Sequence, residues 1–170
     1  MNNEIKKFKE YIKNTDVGKL RELSNKMLEK AIIEEDRNYV YLSLISYALS
    51  KIFLKRHFQP LRETIKNKLL DIIDDRKDYE DLFRQIIENI KKIDQELGYY
   101  TIDIIEKAKL KLAVKAYALG MSLNKACQLT NCDRVELQSY IGYTKIHDKP
   151  YNISMPVLKR FKILKKIFGD

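Results

Sequence analysis

Five glycines and three prolines are spread over 170 residues. A sandwich or barrel of short strands needs a turn roughly every ten residues. So sparse a supply therefore leaves long elements joined by short connections, and the apolar spacing says which kind. From Tyr79 the stripe Tyr79, Leu82, Phe83, Ile86, Ile87, Ile90, Ile93 and Leu97 keeps helical register, and Gly98 follows it as a glycine closing a helix would. Apolar residues make up 45% of the chain and charged residues 34%, enough to bury a core and too apolar for disorder. An all-α fold is expected.

The same reading places further helices. A short one covers about residues 4 to 13. Asp16 caps the next, which carries Leu20, Leu23, Met27 and Ala31 on one stripe and ends in Glu34, Glu35 and Asp36. Residues 38 to 56 are apolar almost all round, as in a helix covered by neighbours on several sides, and are expected at the centre of the first half. Pro60 sits near the first turn of a helix with Leu61, Ile65, Leu69 and Ile72 or Ile73 in register. A helix over about 101 to 119 stops at Gly120. Two short helices follow, then a looser stretch with Pro150, then a last helix begun by Ser154 and Pro156. The expected organisation is an N-terminal helical bundle, residues 1 to 97, and a basic C-terminal region, residues 98 to 170.

Several functional classes lack their parts. The opening MNNEIKKFKEYIKN has Lys and Glu where a secretory signal needs an apolar run. The longest uncharged run, Asn38 to Ser50, is 13 residues, short of the roughly 20 that span a bilayer. A cytoplasmic protein with no membrane span is expected. Cys127 and Cys132 have no Cys or His companions at zinc spacing, so reduced, packed thiols are expected. Asp71, Asp74, Asp75, Asp78 and Asp81 straddle a helix end and the next helix start; carboxylates so gathered can hold Mg²⁺ or Ca²⁺, but Asp78 and Asp81 suit the dipole of a helix N-terminus without a metal. His57 and His147 lack a nucleophile or second ligand at recognisable spacing. There is no GxxxxGK[ST], GxGxxG or HExxH sequence. No enzyme activity, cofactor or metal is expected. The 11 tyrosines fit half-buried packing, with base stacking as the other use of such rings.

From Ala118 the chain reads ALGMSLNKACQLTNCDRVELQSYIG. Ser122 caps a short helix, Ala126 and Cys127 allow a close crossing, and Leu129 is expected in the shared core. Asn131 takes a left-handed turn, Cys132 plugs it, and Asp133 caps a second helix. On that helix Val135, Leu137 and Ile141 are expected to be buried, with Arg134, Glu136, Gln138, Ser139 and Tyr140 more outward. KACQLTNCDRVELQSYI resembles the helix-turn-helix of prokaryotic DNA-binding regulators. Cys127 stands for the second Ala of the pattern, Thr130 for its apolar residue, Asn131 for Gly, Cys132 for Ile or Val, and Asp133 for Ser. The Leu-Gly ending just before Ser122 resembles small archaeal and bacterial proteins suspected of acting as antitoxins or regulators. The first half, around DRNYVYLSLISYALSKIFLKRHF, resembles archaeal helical proteins of unassigned function. The motif covers about 25 residues, and it implies a recognition helix from Asp133 to Ile141 with Arg134, Gln138 and Glu136 toward the bases.

Charge points the same way. Residues 1 to 98 carry 20 Lys+Arg and 18 Asp+Glu, a net of +2, whereas residues 99 to 170 carry 13 and 6, a net of +7. A patch of one sign attracts polyanions over about 8 Å at physiological salt. SMPVLKRFKILKKIFG reads as a basic amphipathic helix, and Lys145, Lys149, Lys159, Arg160, Lys162, Lys165 and Lys166 are the expected phosphate contacts. The leading expectation is a small non-enzymatic DNA-binding or regulatory protein, Arg134 and Gln138 reading base edges, with the bundle forming a homodimer or binding a partner. The alternatives are a helical adaptor whose basic helix binds an acidic protein surface, and RNA binding through the basic face and tyrosines.

Overall fold

The computed structural model describes residues 1–74, 78–96 and 104–143. Within them the chain is all-α, with α1 (Asn2–Lys13), α2 (Val17–Glu34), α3 (Arg37–Leu54), α4 (Arg62–Asp74), α5 (Tyr79–Glu96), α6 (Ile104–Ala118), α7 (Leu123–Thr130) and α8 (Arg134–Tyr143). A 3-10 segment, Arg56–Leu61, joins α3 to α4. The chain divides into two compact units, Met1–Ala108 and Lys109–Asp170, with the division inside α6.

The first unit is a bundle centred on α3. The Asp16 carboxylate accepts the Lys19 N–H at 2.9 Å and starts α2, as the cap residue predicts. Glu35 takes a left-handed conformation at φ 53°, and Asp36 accepts the Asn38 N–H at 2.8 Å. Two residues thus turn the chain from α2 back along α3. α2 buries Leu20, Leu23, Met27, Leu28 and Ala31, and α3 buries twelve of its eighteen residues. α3 also packs on α5, while α1 packs on α2 and α4. Tyr41 and Tyr79 bracket the buried Phe83, with ring centroids 6.2 and 6.5 Å from it. Of the α5 stripe, Leu82, Phe83, Ile86, Ile90 and Ile93 are buried; Ile87 is half-buried and Leu97 lies outside the described residues. Each such side chain contributes about 1.5–3 kcal/mol by leaving water.

Small polar side chains sit inside this core. Ser24, Ser43, Ser46 and Ser50 are buried, and the Ser43 hydroxyl donates to the Ser24 carbonyl at 2.7 Å. The Glu4 carboxylate is buried beside α2, where Lys30 Nζ donates to it at 2.8 Å and lies 5.2 Å from the Tyr39 ring centroid. That hydrogen bond, opposed by burial, holds the Glu4 carboxyl below the usual glutamate range, and it raises Lys30 above the usual lysine range.

Two connections differ from the sequence expectation. The long apolar helix ends at Leu54, and Pro60 lies in the 3-10 segment ahead of α4 instead of in its first turn. A proline removes its own amide but not its carbonyl, so a tight 3-10 turn suits it. Arg62 fastens the junction by donating to the Phe53 carbonyl at 2.7 Å, near the end of α3. Among the described residues no helix is long and apolar enough to cross a membrane, and no group of three or more His, Cys, Asp and Glu gathers as metal ligands would.

Candidate nucleic-acid interface

The second unit takes its local shape from three stops. Gly120, at φ +102°, ends α6; its N–H donates to the Tyr117 carbonyl at 2.9 Å, and the Met121 N–H donates to the Ala116 carbonyl at 3.2 Å. This pair of bonds is the Schellman closure, and its central residue sits in backbone space that favours glycine. Ser122 then caps α7 by accepting the Lys125 N–H at 3.2 Å. Asn131, at φ 52° and ψ 49°, ends α7 in the left-handed conformation, which asparagine tolerates better than most side chains. The Cys132 N–H donates to the Cys127 carbonyl at 3.3 Å across the turn.

Asp133 starts α8. Its carboxylate accepts the Glu136 N–H at 2.8 Å, so this acid is spent on the helix N-terminus, where the dipole also favours it. Ala126 is fully buried, as a close approach of the two helices requires, and Leu137 and Ile141 are buried on α8. Thr130, at the position the pattern fills with an apolar residue, is also buried; its hydroxyl donates to the Ala126 carbonyl at 3.0 Å, so no polar group is left over. Leu129 is half-buried, short of the full core position expected of it.

Cys127 and Cys132 are free thiols. Burial pushes the Cys132 thiol up to about 11, so at neutral pH it is protonated and a poor nucleophile. The pair plugs the turn.

Of the residues expected to read bases, Arg134 and Gln138 are both exposed on α8, as are Glu136 and Ser139. Tyr140 is half-buried, its ring centroid 4.2 Å from Lys111 Nζ on α6. Val135 corrects the expectation: it is 72% exposed instead of buried. The reason is geometric. At 100° per residue, Val135 stands about 160° from Leu137 and about 120° from Ile141, so no single face can bury all three. That signal was present in the spacing. Lys145, Lys149, Lys159, Arg160, Lys162, Lys165 and Lys166, and with them the terminal basic helix expected from the sequence, lie outside the described residues, as do His147 and Asp75.

α8 therefore carries a central exposed stripe of Val135, Ser139 and Gly142, with Gln138 on one flank and Glu136 on the other. An added Cβ at Gly142 would meet nothing within 4 Å. Such a face can enter a groove about as wide as a helix, and its side chains offer donors, acceptors and one apolar branch. Comparison with family models, curated proteins and solved structures finds no match to this chain.

Proposed function

We propose that this is a small, non-enzymatic, cytoplasmic DNA-binding or regulatory protein in which α7 and α8 act as a helix-turn-helix, with α8 in the major groove of duplex DNA. The observation that carries the reading is the exposure of Arg134 and Gln138 on a short helix whose other side is fixed by Leu137 and Ile141. Arg134 suits guanine and Gln138 suits adenine, each through paired hydrogen bonds to the base edge. Lys125 is exposed in the first turn of α7, where a phosphate meets both the cation and the helix N-terminus. The Lys and Arg residues from Lys145 to Lys166 add phosphate contacts in this proposal, consistent with the net +7 of residues 99 to 170.

The test is fluorescence anisotropy with duplex DNA, single-stranded RNA and heparin, each titrated with salt. Duplex binding that persists at about 150 mM salt and outcompetes heparin is the expected result. Equal binding of all three, lost together as salt rises, overturns the reading and points to a helical adaptor that docks an acidic protein surface.

A further inference from the structure

Val135 invites a question that capping and packing do not answer: what is a branched apolar side chain doing at the middle of a polar, exposed face? Among the described residues Leu54, 56% exposed, is the other exposed large apolar side chain, and it stands at the last turn of α3. Val135 instead lies in the first turn of α8, one residue after Arg134 and three before Gln138. Its neighbours along the stripe, Ser139 and Gly142, are small, and the exposed Gln138 stands on its flank, one turn further along the helix.

The major groove offers one apolar group among its base edges, the C5-methyl of thymine; every other feature it presents there is a hydrogen-bond donor or acceptor. We infer that Val135 is a specificity-determining residue that packs on the C5-methyl of a thymine in the target duplex, beside the base that Gln138 contacts. The inference rests on the proposal that α8 enters the major groove. Val135 and Gln138 are separated by about 4.5 Å along the helix axis and about 60° around it, a spacing close to the roughly 3.4 Å between successive base pairs. An adenine contact by Gln138 and a thymine contact by Val135 thus fall on adjoining or shared A·T pairs. The positive balance of residues 99 to 170 complements a polyanion and not an apolar protein groove.

The experiment uses the full chain. Duplexes are enriched from a random 20-bp pool, and in the enriched sequence each thymine is replaced singly by deoxyuridine, which removes only the methyl group. The expected result is one thymine whose replacement weakens binding about three- to fourfold, the scale of one buried methyl group. In Val135→Ala that sensitivity disappears, while the salt dependence and the melting temperature of the protein stay unchanged. An enriched sequence with no such thymine, or one whose sensitivity persists in Val135→Ala, overturns the inference and leaves DNA reading by α8 standing. A pool that yields no enriched sequence removes both.

Discussion

The α3-centred bundle and the α7–α8 pair use the same alphabet of caps and apolar spacing to opposite ends. In the bundle nearly every apolar residue at helical spacing is buried: Leu82, Phe83, Ile86, Ile90 and Ile93 line one side of α5, and α3 is covered on several sides. In α8 the apolar residues split, with Leu137 and Ile141 inside and Val135 in solvent. Where burial follows spacing, the element is explained by stability. The outward face of α8, which packing leaves exposed, is where the proposed base recognition is placed.

That contrast sets the sizes of substitution effects. Phe83→Ala opens a cavity among Tyr41, Tyr79 and the α3 core, and should cost about 3–5 kcal/mol in denaturant unfolding. A loss below about 1 kcal/mol would mean that the α5 stripe is not packed against α3. Glu4→Gln leaves Lys30 without its carboxylate and should cost about 1–2 kcal/mol. The sign with pH follows from the lowered Glu4 value. Its stabilisation is complete above the ordinary glutamate range and is lost as pH falls through the lower folded value. The raised Lys30 value acts at the other end, its contribution fading only as pH rises past the ordinary lysine range. Stability curves of the wild type and Glu4→Gln should therefore converge in acid; parallel curves would contradict the pairing.

Asn131→Val forces a β-branched side chain into the left-handed turn and should cost about 1 kcal/mol or more, whereas Asn131→Gly should be close to neutral. Equal effects of the two would mean that the turn is not held in that conformation. Val135→Ala should change stability by less than about 0.5 kcal/mol, the smallest effect of the series, although it sits in the same chemical class as the core substitutions. A larger loss would place Val135 in a core and sharpen the comparison against a binding role.

Much of this was legible from residue order. The α5 stripe, the Asp16, Ser122 and Asp133 caps, the glycine stop at Gly120 and the asparagine turn at Asn131 each depend on neighbours within about five positions, where local stereochemistry decides. The ion pair of Glu4 with Lys30 joins residues 26 apart, and the hydrogen bond between Arg62 and the Phe53 carbonyl forms where two helices meet; neither has a local signature. Apolar spacing puts Pro60 near the start of α4 but does not distinguish a 3-10 segment from the first turn of that helix. Val135 departs from expectation for a different reason. Counting apolar residues marked it for the core, while turning the helix by 100° per residue places it outside. Arg134 and Gln138 were placed outward by the sequence and are exposed, and the Lys and Arg residues from Lys145 onward lie beyond the described residues.

The most direct test of the central claim is the ratio of affinities for an enriched duplex and a scrambled duplex of the same composition, measured for the wild type and for the Arg134→Ala, Gln138→Ala double variant. Base reading by α8 predicts that the ratio falls at least tenfold in the double variant, because two base contacts are worth about 1–3 kcal/mol each. The salt slope should change by no more than about one phosphate equivalent. An unchanged ratio, with binding to both duplexes weakened alike, would show that these side chains contribute charge and no sequence information, and would contradict the account.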